Sequence, residues 1–430
     1  MNKNTLIIGF MLFAFFFGSG NLIFPPKLGF ESGQFFIPAI LGFILTGVGL
    51  PLVGLMIGSK YDGGYQSALA KIHPWFSVAL LSAIYLTIAP FFVIPRTGAV
   101  AYEMAVVPFL DTPSWVNLLI FTVIYYAISL WLSISPNKLV DRIGSVLTPV
   151  LLVTVLALIV MSFVKLGGNP ASVATDGYQG KAFFVGFLEG YNTMDMIASV
   201  AFSVIVMSAI SQKLGERANL FVETTKAGLI ATSALALIYL SLGWIGNHLP
   251  LSADELTQVA DKGQNIGTFI LNKSAVLGFG SAGGVVLGLI ASLACLTTTV
   301  GLTVSASEYF HETFPRIGGV NLSYKTYVII FTLIGFVLAN QGLSAVISKS
   351  IPVLLVLYPI TMTAMILLGF NIIKPLPVFA KRVSLGLVTV VSVLSVAGVN
   401  LPLKDYSIEW LPFAVAGLII GLVFDKVMKK

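Results

Sequence analysis

Twelve apolar runs, most of them about 20 residues long, follow one another along this chain with only short polar joints between them. They cover about 5–29, 34–58, 76–104, 114–133, 140–164, 181–210, 222–246, 275–307, 325–340, 343–372, 383–400 and 407–425. Inside lipid no water bonds a free N–H or C=O, so a run of this length is restricted to a helix that satisfies its own backbone. Composition agrees: 57% of the 430 residues are hydrophobic, about 245, which fills roughly twelve spans of 20. Only 10% are charged, against about 25% in soluble domains. That excludes an ordinary globular enzyme, and the high hydrophobicity excludes a disordered chain. The reading is an all-α integral membrane protein of about twelve transmembrane helices.

The net charge of +6 does not point to nucleic acid, because the basic residues are spread singly and form no stripe. They report topology instead. With the N-terminus inside, sixteen of the 24 Lys and Arg fall on inner loops: Lys3, Lys60, Lys71, Lys138, Arg142, Lys213, Arg217, Lys226, Arg316, Lys325, Lys374, Lys381, Arg382, Lys426, Lys429 and Lys430. Inner loops collect Lys and Arg, so both termini are expected in the cytoplasm and the span count is even. The opening apolar run lacks a small-x-small cleavage site before Gly18–Asn21 and is expected to be a retained first helix. The lone Cys295 cannot form an internal disulfide.

Two of the runs are broken in the middle. In the first, Gly18-Ser19-Gly20-Asn21 is followed by Pro25-Pro26, which weakens the helix and then removes two backbone donors. An unwound turn there would aim the amides that open the second half-helix at a carboxylate, with the helix dipole adding attraction. The carbonyls of Ala14 and Phe17, ending the first half-helix, would suit a small cation. The alternative is close helix packing at the glycines and a proline kink.

In the sixth run, Glu189-Gly190-Tyr191-Asn192-Thr193-Met194-Asp195 places two carboxylates near mid-depth. A charge there costs at least ~2.5–3.5 kcal/mol and must meet a partner or a wet cavity. Glu189 is a candidate partner for a substrate ammonium, a cation or Arg96, or half of an ion pair that pins two helices. Asp195 could serve only to shape the break. Broken helices at corresponding positions of two halves mark an inverted-repeat transporter.

The eighth run carries Ala294-Cys295-Leu296-Thr297-Thr298-Thr299. Its threonines could simply bond carbonyls one turn back. Alternatively the Ala294 carbonyl and the Thr297 and Thr298 hydroxyls, with the carbonyls of Ala14 and Phe17, give five neutral oxygens. Such a shell favours Na⁺ over a divalent ion, which normally recruits carboxylates.

Together, Phe-Phe-Phe-Gly-Ser-Gly-Asn-Leu-Ile-Phe-Pro-Pro, Leu-Glu-Gly-Tyr-Asn-Thr-Met-Asp and Leu-Ala-Cys-Leu-Thr-Thr resemble the bacterial branched-chain amino acid cation symporters of the amino acid–polyamine–cation superfamily. The resemblance covers essentially the whole chain. It implies a LeuT-like fold: a five-helix repeat over 5–164, an inverted second repeat over 181–373, and two additional helices over 383–428. It implies Na⁺-coupled import of leucine, isoleucine and valine across the bacterial inner or plasma membrane by alternating access. Backbone amides of Gly18, Ser19 and Gly20 would hold the substrate carboxylate, and Gly190, Asn192 and Thr193 its polar end, with Glu189 beside them. Ala14, Phe17, Ala294, Thr297 and Thr298 would hold Na⁺. Tyr85 would cap the carboxylate as a third-helix Tyr does in that fold, unless it is a packed core tyrosine. The Asn that follows the glycines, Asn21, takes part in a second sodium site in some relatives, but the seventh-helix Asn that completes it has no match here.

Arg96 is expected in the outer third of its span, in an outer gate pair or snorkelling to the surface. His73, His248 and His311 have no metal spacing. Gly284-x-x-x-Gly288 and Gly417-x-x-x-Gly421 are expected to pack helices or protomers. An intramembrane enzyme would need a catalytic constellation, which the chain lacks. A channel would need a filter built from repeated subunits. Proton coupling through Glu189 is the alternative to Na⁺. No obligatory protein partner is evident; the partners are the amino acids and the lipid bilayer.

Overall fold

Span 1 is two helices: α1 (Lys3–Phe16) stops at Phe17 and Gly18, and α2 (Ser19–Ser32) begins on the next residue. The computed structural model describes residues 3–135, 147–215 and 217–428. Span 2 is α3 (Phe36–Ile44) and α4 (Leu50–Gly58), joined by a wide turn at Leu45–Gly49, and the short α5 (Gly64–Ala70) follows. Span 3 is α6 (Pro74–Leu86) and α7 (Val93–Ala105) around a second wide turn at Thr87–Phe91, where Pro90 withholds a backbone donor. Then come α8 (Trp115–Ser133) and α9 (Thr148–Leu166). Residues 140–146 of the expected fifth span, and Lys138, Arg142, Lys429 and Lys430 of the inner charge set, lie outside the described residues.

Span 6 is again broken, into α10 (Ala182–Glu189) and α11 (Asp195–Leu214), and α12 (Leu220–His248) is span 7. Two helices follow, α13 (Ala253–Asp261) and α14 (Ile266–Phe279), and then span 8, α15 (Gly283–Thr313). A two-stranded ribbon, β1 (Arg316–Ile317) with β2 (Val320–Asn321), leads into α16 (Tyr324–Ala339). The last three helices are α17 (Leu343–Ile373), α18 (Val378–Val396) and α19 (Leu411–Met428). Ten stretches are long and apolar enough to cross a membrane, with α1 and α16 as shorter apolar helices. One of the ten, Ser19–Gly58, doubles back through Gly33–Phe35, so the described chain makes twelve helical passes.

The eighth span departs from the expected 275 start. Residues 275–279 belong to α14, and a turn at Gly280–Ala282 with Gly280 at φ +60 separates it from α15. Hydropathy stays high across that turn and cannot reveal it. Gly283 then lies against the end of α14, where a Cβ would stand 2.3 Å from the Ala275 carbonyl oxygen. Span 11 also starts five residues before the expected 383, because Pro377 opens it and Gly398, at φ +94, follows its end.

The two broken spans are packed reciprocally. Span 1 runs along span 7, and span 6 runs along span 2. Each contact is seated on glycine: a Cβ on Gly29 would lie 1.8 Å from the Gly243 carbonyl oxygen, and one on Gly186 1.8 Å from that of Ala39. Small residues let helix backbones approach this closely where lipid supplies no hydrophobic drive. The same device joins α15 to α7 at Gly288, facing Ala105, and α19 to α18 at Gly417 and Gly421, facing Ser384 and Ala380. Aromatic bulk fills the centre of the bundle, with Phe13, Phe15, Phe16, Phe17 and Phe202 all buried. Exposed Val, Ile, Leu and Trp side chains, such as Trp75, Trp115 and Trp131, cover the outside, as a lipid-facing surface requires.

Candidate functional site

At the first break the helix ladder fails for a local reason. The amide of Gly18, extended at φ −114 and ψ −156, donates to the Phe16 carbonyl at 2.7 Å and to Asn21 Oδ1 at 3.1 Å rather than to Ala14. The Ala14 carbonyl is thereby freed, and the hydroxyls of Thr297 and Thr298 on α15 each donate to it at 3.1 Å. Thr297 also donates to the Ala294 carbonyl at 3.1 Å and to that of Leu293 at 3.0 Å. Four of the five expected cation ligands are thus gathered: the Ala14 and Ala294 carbonyls and the two hydroxyls. Gly18 closes against the same point, since a Cβ there would stand 2.8 Å from Thr298 Oγ1. Phe17, at the break itself, has no hydrogen bond to either threonine among the described residues.

At the second break Gly190–Thr193 tightens into one narrow turn, and Met194 takes a left-handed conformation at φ 64 before α11 starts at Asp195. Glycine is required at 190, because a Cβ would meet Thr46 Oγ1 at 1.8 Å. Thr193 Oγ1 donates to the Gly190 carbonyl at 2.9 Å and holds the turn.

Arg96 joins the two breaks, which corrects the expectation of an outer gate. Its span is kinked at Pro90, and that carries the side chain inward, where it is 1% exposed. Nε donates to Ser19 Oγ at 3.1 Å, Nη1 to the Asn192 carbonyl at 2.6 Å and Nη2 to that of Thr193 at 3.5 Å. Gly20 faces the same guanidinium, since a Cβ there would lie 2.7 Å from Nη2. Ser19, Gly20 and the carbonyls of Asn192 and Thr193 therefore meet at one guanidinium.

Asp195 is also fully embedded. Asn21 Nδ2 and the Tyr239 hydroxyl each donate to its Oδ2 at 2.7 Å, and Asn21 and Tyr239 touch each other as well. Sequence reasoning marked the Asp195 carboxylate and gave it only the shaping of the break, and it passed over Tyr239, a lone tyrosine in an apolar run. The signal available was the cost of a carboxylate at that depth, which demands donors from neighbouring spans. Between the breaks lies a nearly closed cavity of about 10 Å³, so the two broken helices meet there with almost no free space. Gly18, Ser19, Asn21, Arg96, Thr193, Asp195 and Thr298 line one part of it. Phe15, Phe16, Ile88, Val93, Ala198, Phe202 and Leu302 make the rest apolar.

The model of a family described as branched-chain amino acid transport protein matches residues 1–428. The chain belongs to that family. A relative in Staphylococcus saprophyticus, named a branched-chain amino acid carrier protein, is 50% identical over 100% of this chain and 98% of its own length. A carrier of the same description in Staphylococcus aureus strain USA300 is 46% identical over 100% of this chain and 98% of its own length. Among solved structures, Mhp1, a nucleobase-cation-symport-1 family transporter in a closed conformation with bromovinylhydantoin bound, superposes with a TM-score of 0.60 at 13% identity. That match covers 97% of this chain and 91% of the other. The fold of this member of the branched-chain amino acid transport protein family is therefore a transporter fold, and the chain is a multi-pass membrane carrier rather than an enzyme.

Of the expected substrate-site residues of this family member, Gly20, Gly190 and Asn192 lie at the breaks without lining the cavity, and Tyr85 and Glu189 turn away from it. Tyr85 lies one turn before Ile88 and stacks on Tyr309 with ring centroids 4.4 Å apart. It lines a separate recess with Glu308 and Glu312, so its environment is that of a packed tyrosine. Glu189 turns from the breaks toward α2 and pairs with Lys27 at 2.7 Å, and Lys27 also reaches Glu31 at 3.4 Å. Asn192 Nδ2 donates to the other Glu189 oxygen at 3.1 Å. Of the partners weighed for Glu189, the helix-pinning ion pair is the one formed, with Lys27 in place of Arg96.

Proposed function

We propose that this chain imports leucine, isoleucine and valine across the bacterial cell membrane, coupled to Na⁺ by alternating access. The carrying observation is the meeting of two broken helices on one part-apolar cavity, with four neutral oxygens of α1 and α15 immediately beside it. Aliphatic walls suit a branched side chain, while the amides opening α2 at Ser19 and Gly20 suit its carboxylate. Na⁺ would be held by the oxygens of the two hydroxyls, which keep their protons and turn them away, together with the Ala14 and Ala294 carbonyls. It would then tie α1 to α15, and ion binding would bias the same half-helix that forms the substrate site. The excess of Lys and Arg on one set of loops supports cytoplasmic termini. Sequence similarity to relatives named as branched-chain amino acid carriers supports the substrate class.

The test is uptake of labelled isoleucine into proteoliposomes under a sodium gradient and, separately, a proton gradient. Unlabelled leucine, valine, alanine and lysine serve as competitors. Sodium-driven uptake inhibited by leucine and valine alone is the expected result. Uptake driven only by protons would overturn the coupling, and no uptake under either gradient would overturn the substrate.

A further inference from the structure

The cavity between the breaks carries two buried charges of opposite sign that do not pair with each other. Arg96 and Asp195 are 1% and 3% exposed and both line it. Among the described residues neither takes part in an ion pair. Each is held by neutral groups: Arg96 by Ser19 and two carbonyls, Asp195 by Asn21 and Tyr239. Isolated buried charges are costly, and opposite charges that line one cavity would ordinarily close on one another. Here the carbonyls of the Gly190–Thr193 turn hold the guanidinium on one side, and the Asn21–Tyr239 pair holds one carboxylate oxygen on the other.

The surroundings differ in sign as well. Arg96 sits at Ser19 and Gly20, the first residues of α2, so a helix N-terminus and a guanidinium converge, an arrangement that favours an anion. Its three hydrogen bonds use three of five N–H donors and leave capacity for a carboxylate. Asp195 supplies an acceptor for an ammonium from the other break. The remaining walls are aliphatic and aromatic.

We propose that Arg96 and Asp195 together recognise a zwitterion: Arg96, with the α2 amides, takes the α-carboxylate, and Asp195 takes the α-ammonium. This rests on the amino acid reading above and deepens it. The site is then selective for molecules that carry both charges on one carbon, and the apolar walls select the side chain. A substrate that lacks either group leaves a buried charge unanswered, a mismatch that rejects analogues by ~10⁴-fold where a site is built to bond the missing group.

The experiment is competition against labelled leucine uptake by the full-length carrier in proteoliposomes, using leucine, 4-methylpentanoate (no ammonium) and 3-methylbutylamine (no carboxylate). Wild-type protein is expected to be inhibited by leucine and by neither analogue at about a hundredfold excess. In Asp195→Asn, which keeps an oxygen acceptor for Asn21 and Tyr239, leucine should bind at least tenfold more weakly. 4-Methylpentanoate should then compete within about threefold of leucine. Arg96→Gln should do the same for 3-methylbutylamine. Either analogue competing with wild type as well as leucine overturns the proposal, whether or not the variants fold. Retained discrimination in both folded variants also overturns it. Absence of leucine uptake by wild type would instead strike the substrate reading itself.

Discussion

Gly18 and Thr298 meet where the first broken helix faces span 8, so closely that a Cβ on the glycine would stand 2.8 Å from the threonine hydroxyl and 2.9 Å from its methyl group. A threonine inside a helix has in practice two χ1 rotamers, and only one of them can keep Thr298 on the Ala14 carbonyl. Gly18→Ala must therefore push α1 away from α15 or twist Thr298 off the Ala14 carbonyl. Either motion enlarges the oxygen cluster. The expected outcome is a cost of ~1–3 kcal/mol in packing and a rise of roughly tenfold or more in the sodium concentration for half-maximal uptake. Thr298→Ser, which removes the methyl but keeps the hydroxyl, should recover part of that loss in the double variant. Sodium titration of uptake in the three proteins measures it, and an unchanged sodium response in Gly18→Ala would place the ion elsewhere.

The threonines themselves give a sharper contrast. Thr297 and Thr298 both bond the Ala14 carbonyl, whereas Thr299 faces the other way, toward Thr97 and Tyr125 at 2.6 and 2.8 Å. Replacing Thr297 or Thr298 by Ala should raise the sodium requirement by about tenfold each, the equivalent of ~1.4 kcal/mol. Thr299→Ala should leave the sodium requirement within about twofold, with its cost in stability near ~1 kcal/mol. Uptake against sodium concentration and thermal unfolding in detergent separate the two effects. Equal sodium dependence in all three variants would argue against a cation at this cluster.

How much of this arrangement can be read from sequence follows from range. The breaks at Gly18 and Gly190 are local, written in glycine, proline and charge within a run that should otherwise be helical, and both lie where the residues indicate. The grouping of Ala14 with Thr297 and Thr298 is legible in the residues themselves, a freed carbonyl at one break and a hydroxyl cluster in another span, and the family resemblance points the same way. Arg96 was not, because the wide turn at Thr87–Phe91 rotates its side chain inward and hydropathy carries no phase information across a bulge. Glu189 and Lys27 are 162 positions apart, and no pattern in one sequence ties them together. The turn at Gly280–Ala282 was invisible for a different reason: apolar residues flank it on both sides.

Lys27 and Glu189 join α2 to α10, with side chains 25% and 17% exposed. A pair this largely buried leaves Lys27 partly unanswered when one partner is neutralised, with Glu31 still beside it, so Glu189→Gln should lower stability by ~1–3 kcal/mol. Isoleucine uptake should remain sodium-driven. The pair's role is positional, and Lys27→Met with Glu189→Leu should restore the melting temperature by replacing one contact with another of similar size. Thermal unfolding and uptake under separate sodium and proton gradients test this. Loss of gradient-driven uptake in a folded Glu189→Gln protein would return the residue to energy coupling.

The glycine contacts predict an order of tolerance. At Gly29, Gly186, Gly246 and Gly267 an added Cβ would lie 1.8–2.0 Å from a backbone oxygen of a neighbouring helix, so no side chain can move aside. Ala at any of these must separate two helices along their length, at a cost of ~2–4 kcal/mol or more once the lost contacts are included. Gly168 and Gly177, between spans 5 and 6, have nothing within 4 Å of the same atom, and Ala there should change stability by less than ~0.5 kcal/mol. At Gly47 the nearest atom is Cε2 of Tyr239, 3.3 Å away, and a small ring displacement should suffice. Because Tyr239 donates to Asp195, Gly47→Ala should disturb leucine affinity more than folding. Melting temperatures for the series, set beside leucine affinities, test both halves. A Gly29→Ala protein as stable as Gly177→Ala would mean that spans 1 and 7 are not packed as closely as these backbones are placed.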